Sequence, residues 1–224
     1  MMRSILERLG LRSPAVEEVA VEEITIDPFD AVWPEIDTVP GFLAPNQERC
    51  LFDLVAALPE DALVLEVGSF LGRSTVSMAF ACRNTARQVF AVDTFEGNAH
   101  DFVKGKNKID WEGDSFFPLF WQHLRERGLD RHVVPLRATS HAIAKCWGKP
   151  LDMVYLDGSH QYADVVAEID AFVPWIKPGG CVAMHDVIEG WPGVYRAWQE
   201  KLSGELVDQG QVGSLRYGYV RADS

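Results

Sequence analysis

Short apolar runs that end in polar clusters, each divided from the next by a helix-like stretch, constrain this chain more than any other feature. They are LVLEVG (63–68), QVFAVD (88–93), DMVYLDGSH (152–160) and GGCVAMHD (179–186). A further run, HVVPLRA (132–138), contains Pro135, which removes a ladder donor and predicts a short or edge strand. Near-continuous apolarity is what a strand needs when both faces of its sheet are covered. Alternation with helices makes neighbouring strands parallel. The expected fold is therefore α/β, a mostly parallel sheet with helices on both faces.

Helices are expected over 45–57, 73–83, 161–173 and 193–203, with a short helix or turn over 139–147. Asp114 or Ser115 could cap a helix carrying Phe117, Phe120, Trp121 and Leu124 that stops at Gly128. The helix after 160 is expected to bury Tyr162, Val165, Val166, Ile169, Phe172 and Val173. The tail ELVDQGQVGSLRYGYVRA reads as two strands joined at Gly210–Gly213, a C-terminal antiparallel hairpin.

Residues 1–40 differ in character, holding Glu17, Glu18, Glu22 and Glu23 and the prolines Pro14, Pro28 and Pro34 among others. They read as an N-terminal arm, draped over the domain or a partner chain, or as a partly ordered tail. Residues 41–224 are long enough for one large domain. The net charge of −12 argues against a nucleic-acid partner, since phosphate binding needs a basic face. Cys50, Cys82, Cys146 and Cys181 form no C-x-x-C pair and read as free thiols of a reducing compartment. No run approaches the ~20 apolar residues of a membrane helix, and MMRSILERLGL has no signal-peptide apolar region. A cytoplasmic protein with a small-molecule substrate and no membrane partner is expected; homo-oligomerisation is left open.

Open α/β sheets bind ligands beyond the carboxyl ends of their strands. If the runs 152–160 and 179–186 are parallel strands of one sheet, Asp157, His160, His185 and Asp186 meet at that edge. Two carboxylates and two imidazoles there can bind a divalent cation and set a base beside it. The first strand runs into Glu66, Gly68, Ser69, Gly72 and Ser74, a glycine turn leading into a helix N-terminus. Its spacing is not the dinucleotide G-x-G-x-x-G, and Glu66 would repel a phosphate; it could meet a cationic amine directly or through water. A tight turn with no ligand is the alternative. Asp93 ends the second strand, where an acid accepts hydrogen bonds from ribose hydroxyls.

LEVGSFLGRST (65–75), FAVDTFEG (90–97), LDGSHQYADVV (156–166) and WIKPGGCVAMHD (175–186) carry a resemblance, in order, over residues 42–186. The chain resembles the class I S-adenosylmethionine-dependent methyltransferases, with their Rossmann-like seven-stranded sheet. Closer still is the group with macrolide-sugar and aminocoumarin O-methyltransferases and cephalosporin-hydroxylase-like proteins. The resemblance implies that Glu66, Gly68, Ser69, Gly72 and Ser74 line the methionine and ribose side of S-adenosylmethionine. It implies that Asp93, with Thr94 beside it, binds the ribose, and that Ala138, Thr139 and Ser140 flank the adenine.

In metal-dependent relatives, an acid at position 157 and two adjacent acids at 185–186 hold Mg²⁺, and a histidine at 160 acts as base. Here the pair is His185–Asp186. The expected metal set is Asp157, His185 and Asp186, for Mg²⁺, another divalent cation or none, and the expected catalytic pair is His160 with Asp157. The implied activity is O-methylation of a small-molecule hydroxyl, such as a sugar or glycosylated metabolite. An NAD-dependent oxidoreductase would need a second glycine-rich phosphate cradle; a catalytically silent cofactor-binding subunit is the other alternative. Taken singly, His160 could be a helix cap, His185 a supporting hydrogen-bond partner and Asp186 an N-cap. The connection 94–113, with Lys104, Lys106 and Lys108, reads as a substrate loop or a solvated surface. Trp111, Trp147 and Trp191 read as an acceptor wall or as core.

Overall fold

The computed structural model describes residues 26–97 and 114–222. Lys104, Lys106, Lys108, Trp111 and most of the expected arm lie outside the described residues. The helices are α1 (Pro28–Asp37), α2 (Pro45–Ala56), α3 (Arg73–Ala81), α4 (Phe117–Glu126), α5 (Ser140–Ala144), α6 (Tyr162–Phe172) and α7 (Pro192–Lys201). The strands are β1 (Leu63–Val67), β2 (Gln88–Asp93), β3 (Val133–Arg137), β4 (Leu151–Leu156), β5 (Ile176–Met184), β6 (Val207–Val212) and β7 (Leu215–Tyr219). They form one seven-stranded sheet in the order β3-β2-β1-β4-β5-β7-β6. β1 to β5 pair in parallel, and β7 runs antiparallel to both β5 and β6. The fold is thus the Rossmann-like arrangement expected, with the hairpin at one edge and Pro135 on the edge strand at the other.

The two faces follow from strand alternation. In β4 every residue is buried, Met153 and Tyr155 in one layer and Val154 and Leu156 in the other. The first layer includes buried residues of α1 to α4; the second includes those of α6 and α7. From Met153 to Leu156 both layers are filled by apolar or aromatic side chains, hence the apolar run; the buried Asp152 at the strand's start is paired with Lys177 (2.9 Å).

Part of the N-terminal segment belongs to this packing. Asp27 caps α1, accepting from the Phe29 N–H at 2.9 Å, and Phe29, Ile36 and Val39 are buried. The Arg73 guanidinium ties α1 to α3 by donating to the Val39 carbonyl (2.8 Å) and to the Asp37 carboxylate (2.8 Å). Two local expectations shift. The β6–β7 turn is Gly213–Ser214; Gly210 lies inside β6, where an added Cβ would stand 2.3 Å from the Tyr217 ring. On α6, Tyr162 is only half-buried, whereas Glu168 is buried alongside Val165, Ile169 and Phe172.

Candidate active site

The turn after β1 passes close to the end of β4. Gly68 has φ +88°, and a Cβ there would stand 2.1 Å from the Asp157 carbonyl oxygen. Gly72, with φ +93°, lies against the Phe120 ring. Both glycines are therefore required by the protein's own packing. Glu66 is fully buried beneath this turn and takes hydroxyl hydrogen bonds from Ser69 (2.7 Å), Ser74 and Thr75. Burial pushes its carboxyl up to about 7, the three hydroxyls only partly opposing it. Glu66, read as meeting a cationic amine directly or through water, thus sits in a hydroxyl network in which Ser69, Ser74 and Thr75 take part.

A carboxyl raised in the native state binds a proton more tightly there. Its contribution to stability is full below the unfolded value of about 4.5 and is lost as pH climbs to about 7. Chemical denaturation at pH 5 and pH 8 should show the wild type losing about 1–3 kcal/mol more than Glu66→Gln over that interval. Equal losses would place the proton elsewhere.

Asp93 stands at the carboxyl end of β2, partly exposed. Its Oδ2 accepts from the backbone N–H groups of Ser69 (2.9 Å) and Phe70 (2.8 Å), and its Oδ1 from that of Phe95 (2.7 Å). The carboxylate expected to face a ribose thus also fixes the β1–α3 turn; lone-pair capacity remains on it for a further donor. Thr94 is half-buried beside it, accepting weakly from the Glu96 N–H (3.4 Å).

At the ends of β4 and β5 the structure brings Asp157, His160 and Asp186 together: one ligand atom from each lies within 4.8 Å of the others. His160 Nε2 is 2.9 Å from Asp186 Oδ2, and the ring stacks on Trp191 with centroids 4.1 Å apart. The Tyr155 hydroxyl donates to Asp157 Oδ2 (3.0 Å). Asp186 has φ +58°, a left-handed conformation unusual for a non-glycine residue, which turns its carboxylate toward His160. The hydrogen bond to Asp186 outweighs burial and raises the His160 pKa. Burial alone would raise Asp186, but hydrogen bonds from His160 and His185 and their charge hold it well below the usual carboxylate range.

His185 departs from the metal set anticipated for it. Strand alternation turns it to the α2 face of the sheet, where it is buried. Its Nδ1 lies 3.4 Å from Asp157 Oδ1 and 3.5 Å from Asp186 Oδ1, behind the two carboxylates. Its Nε2 meets Ser214 Oγ (3.1 Å) and Gln47 Oε1 (3.4 Å). Burial disfavours the charged ring, yet the two carboxylates win and push its pKa up to about 10. Its two nitrogens thus face the carboxylates on one side and the Ser214 hydroxyl and Gln47 amide oxygen on the other. His160 supplies the third ligand atom of the cluster in its place.

Thr139 caps α5, its hydroxyl accepting from the Ala142 N–H (3.2 Å). Ser140 donates to Glu168 Oε1 (2.8 Å). These residues line a cleft of about 380 Å³ between α5 and α6. Glu168 was not anticipated, although its place three residues after Val165 and four before Phe172 put a carboxyl on the apolar stripe. Of the tryptophans, Trp191 borders the cluster, 44% exposed, whereas Trp147 packs edge-on against Phe90.

A family model described as a methyltransferase domain matches residues 65–187. Among curated proteins, the uncharacterised protein y4gI of Sinorhizobium fredii is 28% identical over 142 residues, which are 61% of this chain and 14% of that protein. Among solved structures, the O-methyltransferase TomG of Streptomyces achromogenes, in complex with S-adenosylmethionine, superposes with a TM-score of 0.60 at 19% identity. The match covers 90% of this chain and 92% of TomG. The TDP-rhamnose 3'-O-methyltransferase CalS11 of calicheamicin biosynthesis gives a TM-score of 0.54 at 17% identity, covering 77% of this chain and 76% of CalS11. At these identities the likeness is one of fold.

Proposed function

Since the chain belongs to the family of methyltransferase domains, we propose that it transfers the methyl group of S-adenosylmethionine to a hydroxyl of a small molecule. The observation that carries this reading is the meeting of Asp157, His160 and Asp186 at one strand edge, beside the β1–α3 turn. Methyl transfer is an in-line displacement, so the protein must align the acceptor oxygen and remove its proton. With His160 Nε2–H committed to Asp186, Nδ1 is the nitrogen left to take that proton. Asp186 fixes the ring and stabilises the imidazolium that forms, and Trp191 supports one face of it. The Tyr155 hydroxyl holds Asp157 in place.

The two carboxylates of the cluster fit a divalent cation. Asp157 and Asp186 would hold it, and it would supply a lowered pKa of the acceptor hydroxyl. His185 stands behind these carboxylates where an all-acid set would have a further acid, so a weaker dependence on the metal is expected.

A sugar or glycosylated metabolite is the acceptor class we favour. CalS11 acts on such a compound, and the exposed Trp191 ring beside the base offers a surface on which sugars pack. The test is transfer from methyl-labelled S-adenosylmethionine to paired panels of nucleotide sugars, glycosides and plain phenols, with Mg²⁺ and with EDTA. Labelled methyl ethers of the sugar-bearing compounds are expected, with activity reduced but not abolished by EDTA. Transfer to nitrogen or carbon acceptors alone would contradict the reading.

A further inference from the structure

Glu168 is the buried ionisable group that the proposed chemistry leaves unused. It is 7% exposed, on the inner stripe of α6. Its Oε1 accepts from Ser140 Oγ (2.8 Å), and no second hydrogen bond to its carboxyl exists among the described residues. The carboxyl lies flat against Gly158: a Cβ at that glycine would stand 3.0 Å from Oε1 and 3.4 Å from Oε2. A larger residue at 158 would displace it. Glu168 therefore touches two strand-end segments at once, the one after β3 through Ser140 and the one after β4 through Gly158. It forms part of the wall of the 380 Å³ cleft. Burial pushes its carboxyl up to about 7, the Ser140 bond partly opposing this and Asp164 and Asp157 adding to it. At neutral pH it can thus present both an O–H donor and a C=O acceptor.

Such a group is matched by a ligand edge with an acceptor next to a donor. The Asp93 backbone carbonyl accepts from the Ala138 N–H (3.1 Å), which sets Thr139 and Ser140 of this cleft close to the end of β2. The resemblance puts the ribose at Asp93 and the adenine beside residues 138–140, and so next to this cleft. We propose that Glu168 is the specificity-determining residue for the cofactor's adenine, its carboxyl taking the 6-amino N–H and giving a hydrogen bond to N1. The inference rests on the S-adenosylmethionine reading above.

The probes are S-adenosylhomocysteine and its 1-deaza analogue, which lacks the N1 acceptor, titrated calorimetrically into the full chain. The wild type should bind the analogue roughly 3- to 10-fold more weakly, the worth of one hydrogen bond. Glu168→Ala should bind both ligands alike. Glu168→Gln, whose amide also offers one donor and one acceptor, should keep the discrimination and serves if the alanine variant does not fold. Its affinity should stay flat between pH 6 and pH 9, where the wild type weakens as Glu168 loses its proton. Asp164 and His141 also line this cleft, Asp157 and His160 act on Glu168 through their charge, and all four are common to both proteins, so the difference between them isolates Glu168. Equal wild-type binding of the two ligands, or identical pH profiles, would overturn the inference. Wild-type binding of neither would overturn the cofactor reading, and this one with it.

Discussion

Gly68→Ala is expected to cost about 4 kcal/mol or more of stability, against about 1 kcal/mol for Gly128→Ala. Both glycines have positive φ, +88° and +63°, so both variants bear the left-handed penalty of an L side chain. They differ in surroundings. At Gly128 nothing lies within 4 Å of an added Cβ. At Gly68 the Cβ would stand 2.1 Å from the Asp157 carbonyl oxygen and 2.8 Å from Gly158 Cα. Those are backbone atoms at the end of a fully buried central strand, and no rotamer change relieves them. The ends of β1 and β4 must separate, which loosens the Gly68 N–H bond to the Val92 carbonyl (2.9 Å) and the Asp157 N–H bond to the Val67 carbonyl (2.8 Å). Urea denaturation of both variants measures the difference. A Gly68→Ala midpoint no lower than that of Gly128→Ala would show that this edge yields freely.

His160→Ala should lower kcat/KM for methyl transfer by about 10²- to 10⁴-fold, the usual loss on removing a general base. The same variant should leave S-adenosylhomocysteine affinity within about twofold, because His160 faces the acceptor side of the cluster and its side chain is 35% exposed. Asp186→Asn should cost less in rate than loss of the imidazole itself, since it removes the group that orients the base. Steady-state rates with the best acceptor from the panel, beside calorimetry of the same preparations, check both parts. Retained turnover in His160→Ala would move the base elsewhere. Loss of cofactor affinity would make His160 a binding residue.

The sheet was legible because its causes are local. Short apolar runs such as MVYL (153–156) suit a doubly covered strand, and Pro135 could sit only where no ladder donor is missed, which is the edge where β3 lies. The grouping of Asp157, His160 and Asp186 followed from strand order, since β4 and β5 are neighbours and both end at that edge. What could not be read depends on backbone geometry that sequence does not display. His185 and Asp186 are adjacent, yet alternation sends His185 to the α2 face, while the left-handed φ of Asp186 keeps its carboxylate at the edge. Asp93 was expected to face a ligand. The left-handed φ of Phe70, +48°, accompanies a turn whose N–H groups reach its carboxylate first. Glu168 was the legible signal passed over, a carboxyl at a stripe position that its neighbours fill with Val165, Ile169 and Phe172. Such a mismatch between residue and environment is where functional sites are expected.

The central claim is that the edge formed by β1, β2 and β4 holds S-adenosylmethionine. Calorimetric titration of the wild type with S-adenosylhomocysteine, with Mg²⁺ and again with EDTA, tests it most directly. Saturable one-to-one binding under both conditions is the predicted result, since the cluster of Asp157, His160 and Asp186 lies on the acceptor side. Absence of binding under both conditions, with saturable binding of NAD in its place, would contradict the account.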